Sequence, residues 1–299
     1  MKKLLEMLAF KRPARSKTEA DFIEKFIVPS GATRDGYGNL ILTVGKNPTT
    51  LFSAHTDSVH VLDGKQLVQV TNGVAALPPG SQSNCLGADD ATGVFILLEL
   101  IAAEVEGLYI FHRDEEIGGL GSAFIAKETP EVLRGIERAV AFDRRHNTDI
   151  IASQSTGTCC SDEFATCLAA ALGAEFEPAA GIFTDTANYT HLVPECTNIS
   201  VGYDNEHTPK ETQDLRFLET LIPKLTALNW DALPTLRDPL VFDDYMSFGH
   251  DFSVGANPLP YTLIEEFVFN NPQAAVDLLY EFGICEEDIQ PQTQQRNFS

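Results

Sequence analysis

The chain has 299 residues, 43% of them hydrophobic, so it can bury a large core as one α/β domain or as one domain with an appendage. Its 43 acidic residues outnumber 21 lysines and arginines, and a net charge of −22 argues against binding to nucleic-acid phosphates or to anionic membranes. Six cysteines without a CxxC pair, and no long apolar segment, predict reduced thiols in a soluble cytoplasmic protein.

The first 54 residues predict a helix and two strands. Residues 16–26 have the pattern of an amphipathic helix with Ser16 as its N-cap. A turn-forming cluster at 35–39 precedes a strand at 40–44, and a second, more apolar strand follows at 50–54. The sheet of the protein therefore begins early in the chain.

The second predicted strand ends in HTD at residues 55–57. His55 and Asp57 are two residues apart, so an extended chain directs both side chains to the same side. A carboxylate in that position can accept the second ring N–H of a metal-binding histidine and fix its orientation. The alternative is a histidine in an ordinary polar turn.

Residues 59–83 have the character of an insertion, with a hairpin predicted at 66–76 around the turn TNG. The motif GADDATG follows at 87–93 and opens a very apolar helix that extends to about residue 103. Asp89 and Asp90 therefore lie at the start of a buried helix, where an unpaired carboxylate is costly.

A third apolar strand at 108–111 leads into the acidic cluster Asp114, Glu115 and Glu116. Adjacent side chains on an extended chain point to opposite sides, so the two glutamates should not share one partner. This arrangement suits a metal site in which one glutamate binds the ion and the other transfers protons. The alternative is a solvated acidic turn after a strand.

The rest of the chain predicts further strands and helices. A strand at 139–142 ends in Asp143, and we expect helices at 161–172 and 215–228, the second kinked or divided by Pro223. Further strands are predicted at 150–152, at the sheet edge, and at 182–183 and 197–201. Residues 232–299 contain several prolines, and we expect an appended segment there that covers the cleft, mediates self-association or docks a partner.

Ligands of open α/β sheets bind outside the carboxyl ends of the strands, where His55, Glu116 and Asp143 are all predicted to lie. Asp89 and the His207 of NEHTP at 205–209 add a further carboxylate and a second imidazole. Two histidines and three carboxylates are enough to hold two divalent ions, so the sequence predicts a metal centre.

Five motifs of the chain resemble, in the same order, the five motifs of the co-catalytic dizinc exopeptidases. They are HTD, GADDATG, DEEIG, FD and EHTP. That group includes leucyl-type aminopeptidases and tripeptidases, and the resemblance covers roughly residues 16–230. It implies a three-layer α/β/α fold around a mixed, mostly parallel sheet, with residues 1–231 as the catalytic domain. The short spans from 55 to 89 and from 143 to 207 leave no room for a separate lid or dimerisation domain.

The resemblance also implies a role for each motif residue. Asp89 would bridge two zinc ions (cobalt or manganese would fit similar sites), with a cis peptide bond to Asp90. One ion would take His55 and Asp143, and the other Glu116 and His207. A water between the ions would attack the scissile bond, with Glu115 as the general base and Asp57 orienting His55.

Residues beyond the motifs bear on the substrate. Asp185 lies where relatives have a site-lining loop and is expected to help hold a substrate amine, with Tyr203 at the rim. Arg144 and Arg145 follow the Asp143 ligand and would either bind a substrate carboxylate or pair with acidic residues.

We therefore expect a metallo-aminopeptidase that cleaves a peptide or another small amide. The alternatives are a carboxypeptidase, dipeptidase or N-acyl amide deacylase and, from another class, a metal-bound but inactive binding or assembly protein. Self-association of the chain stays open.

Overall fold

The computed structural model describes residues 1–155 and 157–240 of the chain. The strands, in chain order, are β1 Phe10–Lys11, β2 Thr33–Arg34, β3 Leu40–Val44, β4 Thr50–His55, β5 Gly64–Lys65, β6 Gln69–Thr71, β7 Val74–Ala76, β8 Gly107–His112, β9 Arg138–Arg144, β10 Asp149–Gln154, β11 Gly157–Thr158, β12 Glu177–Ala180, β13 Glu195–Ser200, β14 Tyr203–Asp204 and β15 Thr212–Asp214. The α-helices are α1 Lys2–Leu8, α2 Lys17–Phe22, α3 Ala88–Ala102, α4 Leu120–Glu128, α5 Asp162–Leu172 and α6 Leu215–Ala227. A π-helical turn, Ile23–Ile27, continues α2, and short 3₁₀ helices cover Val28–Ser30, Pro130–Leu133, Asp185–Tyr189 and Trp230–Ala232.

The main sheet is mixed, as expected. Its order is β11-β10-β13-β9-β4-β8-β3-β2, with β12 beside β10. The four central strands β13, β9, β4 and β8 are mutually parallel. On one side β3 and β2 are antiparallel to their neighbours, and on the other β10 is antiparallel to β13 and β11 but parallel to β12. The parallel centre therefore sends the carboxyl ends of four strands to the same edge.

Helices cover both faces of this sheet. In β4, Leu51 packs into one apolar cluster with Ile125 of α4, whereas the next residue, Phe52, packs into the other with helices α1, α2, α3, α5 and α6. Successive side chains of a strand point to opposite faces, so a strand buried on both sides must be apolar throughout. β4 and β8 are fully buried, and the expected three-layer α/β/α fold is confirmed.

Several local predictions are confirmed. Ser16 caps α2 by accepting a hydrogen bond from the Glu19 N–H at 3.1 Å. The hairpin forms between β6 and β7, with Asn72 and Gly73 at positive φ as its two turn residues, and β7 then pairs with β15. Where described, the cysteines are free and, apart from Cys167, buried.

Two other predictions are wrong, and of the kink or break expected at Pro223 the structure excludes the break. The strand expected at 182–183 lies earlier, at Glu177–Ala180, and beyond it only single main-chain bonds at Gly181 and Ile182 join the chain to the end of β10. The strand near residue 150 is not an edge, since β10 pairs with β11, β12 and β13. Pro223 lies inside the single helix α6, which it does not divide.

The predicted boundary at residue 231 stays a prediction, and residues 241–299 of the predicted appendage lie outside the described residues. Residues 232–240 belong to the same compact unit as the preceding chain, and Leu233 is buried. In the described part of the chain, helices are too short or too polar to cross a membrane.

Candidate metal centre

Five predicted ligands meet at the carboxyl edge of the parallel strands. They form two groups that share Asp89, and the ligand atoms within each group lie within 4.8 Å of one another. In the first group, His55 Nε2 lies 2.9 Å from Asp89 Oδ1 and 3.5 Å from Asp143 Oδ1. In the second, His207 Nε2 lies 3.1 Å from Asp89 Oδ2 and 3.3 Å from Glu116 Oε2. Each oxygen of Asp89 therefore faces a different group.

Different elements bring these residues together. His55 ends β4, Asp143 is the penultimate residue of β9, and Glu116 lies in the turn after β8. Asp89 lies at the start of α3, where its φ of −73° and ψ of 104° are not helical and its bond to Asp90 is cis. No single run of sequence forms the centre, because the sheet aligns segments that are far apart in the chain.

Asp90 ties this helix start to the adjacent strand. Its Oδ2 accepts the His55 main-chain N–H at 3.1 Å, and its Oδ1 accepts the Gly93 N–H at 2.9 Å. A Cβ at Gly93 would lie 2.5 Å from both the Asp90 carboxylate and the Phe142 carbonyl oxygen, so only glycine fits. In the GADDATG motif, packing therefore requires Gly93, whereas Asp89 belongs to the ligand groups.

Asp57 is fully buried beneath the acidic turn. Its two carboxylate oxygens accept the main-chain N–H groups of Glu115 and Glu116, each at 3.2 Å. Its Oδ1 lies 3.6 Å from His55 Nδ1, which is longer than a hydrogen bond. In this geometry Asp57 holds the turn that carries both glutamates, while its orienting role toward His55 stays a prediction.

Glu115 lies beside the first ligand group. Its Oε2 is 3.9 Å from His55 Nε2, and its side chain is 13% exposed, so water and substrate have access to it. Burial raises the pKa of Glu115 well above its usual range, and the carboxylates of Asp143 and Glu116 add to the shift. A carboxyl group with a raised pKa can both accept and return a proton near neutral pH.

Like charges crowd this centre. Burial and the Asp89 carboxylate raise the pKa of Asp143 to about 6. Although burial alone would lower it, the neighbouring carboxylates of Glu116 and Asp89 raise the pKa of His207 to about 12. For the same reason, Asp143, Asp57 and Asp89 raise the pKa of His55 well above its usual range. The centre therefore favours positive charge.

The donor set fits divalent metal ions. Glu116 Oε1 is buried and has no hydrogen-bond partner, which is costly unless a cation lies beside it. Imidazole nitrogens and carboxylate oxygens are the ligands expected at a catalytic zinc ion, and cobalt or manganese accept a similar set. Two such groups sharing one carboxylate match a pair of ions.

The predicted substrate-binding residues occupy three different environments. Asp185 is buried, and its Oδ2 lies 3.1 Å from His112 Nδ1. Tyr203 is buried rather than at the rim, and its hydroxyl donates a hydrogen bond to Asp143 Oδ1 at 3.0 Å. Arg144 pairs with Asp149 at 2.9 Å, and Arg145 pairs with Glu206 at 2.9 Å.

The remaining histidines match no motif, as expected. His112 is buried and bonded through its two ring nitrogens to Ser53 and Tyr189. His60 is buried against Ser58, and burial lowers its pKa to about 3. His146 is exposed and pairs with Asp204, and His191 is exposed, whereas His250 lies outside the described residues.

Three residues around the ligands were not expected from the sequence. Asn198 binds both main-chain groups of Asp143, accepting from its N–H at 2.8 Å and donating to its carbonyl oxygen at 2.6 Å. Thr184 donates its hydroxyl to Asp143 Oδ2 at 2.9 Å. Glu211 accepts the Asp89 main-chain N–H at 3.0 Å. The only sequence signal for Glu211 is its position four residues after His207.

No protein-family model matches the sequence, and no curated protein matches it. Solved structures match the fold. The PepT aminopeptidase from Bacillus cereus has a TM-score of 0.62 at 15% identity, covering 76% of this chain and 96% of its own. The TET1 peptidase from Pyrococcus horikoshii gives 0.58 at 18% identity, covering 75% and 98%. A tripeptidase from Staphylococcus aureus gives 0.58 at 14%, covering 75% and 95%.

These likenesses concern the fold. The structurally similar proteins are an aminopeptidase, a peptidase and a tripeptidase, and nearly the whole of each is covered. The exopeptidase resemblance seen in the motifs is thus confirmed at the level of the fold, which the chain shares with these peptidases.

Proposed function

We propose that the protein is a dinuclear zinc hydrolase that cleaves peptide or small amide bonds, and specifically a metallo-aminopeptidase. The observation that carries this proposal is the pair of ligand groups sharing Asp89, with Glu115 beside them. Asp89, His55 and Asp143 would hold one ion. Asp89, Glu116 and His207 would hold the other.

When bound, two divalent ions lower the pKa of a water molecule toward neutrality and polarise the scissile carbonyl. Glu115 would accept the proton of the attacking water and return it to the leaving nitrogen. Asp57 would keep Glu115 in place through the main-chain bond of the turn.

Asp185 and Tyr203 are proposed to have different roles at this centre. Asp185 lies near enough to Glu115 to contribute to its raised pKa, and its Oδ1 is buried without a partner, which supports a role in holding a substrate amine. Tyr203 would orient the Asp143 ligand through its hydroxyl. Arg144 stays a candidate for binding substrate, although its pairing with Asp149 favours the structural alternative.

A substrate panel tests the proposal. The purified chain, stripped with a chelator and reloaded with zinc, cobalt or manganese, would be assayed on aminoacyl anilides, tripeptides, N-acetylated peptides and N-acyl amino acids. We expect metal-dependent cleavage of substrates with a free amino terminus. Cleavage of only the N-acyl substrates would instead indicate a deacylase. Two bound ions without turnover on any substrate would indicate a binding or assembly protein.

Self-association is also proposed, on the analogy of one structural neighbour. The TET1 peptidase is described as assembling into a tetrahedron or a large octahedral shell. Light scattering coupled to size-exclusion chromatography would test this, since a 32.7 kDa species would show a monomer and exclude such assembly.

A further inference from the structure

We propose that Glu211 is a positioning residue that fixes the loop carrying Asp89 to the segment carrying His207. The inference rests on the proposed function, because its purpose is to align the two residues that would share the second metal ion. Glu211 is buried and lies four residues after His207 in the chain.

Both oxygens of the Glu211 carboxylate bind main-chain groups of one loop. Its Oε2 accepts the N–H groups of Leu86 and Gly87 at 2.7 and 2.8 Å. Its Oε1 accepts the N–H of Asp89 at 3.0 Å. Three main-chain hydrogen bonds to one carboxylate fix the orientation of the peptide groups that lead into Asp89.

The carbonyl groups of the same loop are held from the other side. Gln66 Nε2 donates to the Leu86 oxygen at 2.7 Å, and the fully buried Arg12 donates to the Gly87 oxygen at 3.0 Å. Gly87 has a φ of +73°, and a Cβ there would lie 2.7 Å from the His60 ring. The main chain of the loop is therefore held on both sides, and Glu211 supplies three of these bonds.

Glu211 also restrains the segment that carries His207. Its own N–H donates to the Thr208 carbonyl at 3.0 Å, which closes a tight turn directly after His207. His207 has a φ of +61°, a conformation that a residue with a side chain rarely adopts without support from its surroundings. The next residue, Thr212, begins β15, which pairs with β7. One side chain thus joins the two ligand-bearing segments.

The chain offers a matched control at the opposite end of the sheet. Glu195 is also buried, and its carboxylate accepts three main-chain N–H groups, from Ser161, Leu236 and Arg237, at 2.6, 2.7 and 3.1 Å, and in addition the Ser161 hydroxyl at 2.9 Å. Replacing either glutamate by glutamine keeps its shape but removes the charge and one acceptor. The two variants therefore differ mainly in which segments they release.

The experiment compares zinc affinity, kcat and Tm for the full chain, Glu211→Gln and Glu195→Gln, with affinity measured by competition against a chelator. For Glu211→Gln we expect one of the two ions to bind about 10- to 100-fold more weakly. Activity should recover partly at saturating zinc. Glu195→Gln should bind both ions as tightly as the unchanged chain does, even if its Tm falls by as much as that of Glu211→Gln.

Glu211→Asp provides a second variant should Glu211→Gln not fold. It keeps the charge but is one methylene shorter, so we expect it to lose part of the zinc affinity as well. Zinc affinity unchanged in Glu211→Asp or Glu211→Gln, or lowered equally in Glu195→Gln, would overturn the inference. If the unchanged chain bound no zinc, the proposed function itself would fail, and that result is distinguishable from the others.

Discussion

The two ends of the central parallel strands differ in how their buried ionised side chains are compensated. At the carboxyl end, Asp89, Glu116 and Asp143 face two imidazoles, and the buried Glu116 Oε1 has no partner. At the amino end, the buried Arg138 and Glu195 bind main-chain groups and hydroxyls, and Arg138 also pairs with the half-exposed Glu137. Both ends take ionised groups out of water, which is costly unless each is compensated.

The amino end illustrates compensation within the chain. The buried guanidinium of Arg138 donates to the side chains of Thr49, Glu137 and Thr235 and to the Leu233 carbonyl, at 2.9 to 3.0 Å. Arg138 thus joins the chain near residue 235 to the sheet, and its cationic guanidinium donates both to neutral oxygens and to one carboxylate.

The carboxyl end lacks this balance. Its carboxylates are bound by imidazoles, main-chain N–H groups and hydroxyls, and the imidazoles have raised pKa values because the excess negative charge retains their protons. Arg138 Nε at the amino end is also buried without a partner, so the difference lies in charge: there the chain supplies its own acceptors for a cation, whereas the carboxyl end has an excess of carboxylates that suits added cations. Matched substitutions at the two ends test this difference in charge balance.

The largest effect is expected from Glu115→Gln. The amide cannot accept a proton from water, so kcat should fall by about 10²- to 10⁴-fold while both metal ions stay bound. Steady-state kinetics with metal analysis would measure this. Glu137→Gln, at the amino end, should leave kcat within about twofold, because Glu137 lies far from the ligands along β9. Full activity of Glu115→Gln would remove Glu115 from the mechanism.

A smaller effect is expected from Asp57→Asn. The amide keeps one acceptor oxygen, so one of the two main-chain bonds to Glu115 and Glu116 is lost and the turn is held less firmly. We expect activity or metal affinity to fall by about 10- to 100-fold. The contrasting substitution is Glu195→Gln, which should leave both quantities unchanged. An Asp57→Asn variant with normal kinetics and metal binding would show that the buried carboxylate is not needed.

The smallest effect concerns pH. Burial raises the pKa of Asp143 to about 6 and that of Glu211 to about 7, above their ordinary values of 3.8 and 4.5. The metal-free folded protein thus holds these protons more tightly than the unfolded chain, so its stability should fall as pH rises from about 4 to about 7. The raised pKa of His207 acts in the same direction above 6.5.

Thermal melts of the chelator-treated chain at several pH values would measure this, with Tm falling about 2–4 °C for each kcal/mol lost. The zinc-loaded chain should show a weaker or reversed trend, because metal ions and protons compete for the same ligands. Asp143→Asn, which mimics the protonated side chain, should flatten the metal-free trend. A metal-free Tm that rose with pH would contradict the charge balance described for the carboxyl end.

The sequence predicted most of the fold because apolar runs and turn residues mark the central strands. The sequence also predicted that the ligands lie close together, because the carboxyl ends of parallel strands share an edge of the sheet. The motifs at 55–57, 87–93 and 114–118, which resemble those of known peptidases, supported the same prediction. The strand at Glu177–Ala180 was missed because it contains a proline and two alanines and lacks β-branched residues.

The supporting residues could not be predicted in the same way. Asn198 binds Asp143 across an irregularity in the pairing of β13 with β9, and no local pattern marks that position. Glu211 contacts residues more than 120 positions earlier in the chain. A single sequence gives no distance information for such long-range contacts, whereas a strand or helix is marked by its own periodicity.

The most direct test of the central claim is the number of divalent ions bound per chain. Metal analysis after zinc reloading and removal of excess metal should find two ions per chain, and Asp89→Ala should lose both because each group depends on that carboxylate. Glu137→Gln should retain two. An unchanged chain that bound no zinc, or an Asp89→Ala variant that still bound two ions, would contradict the account.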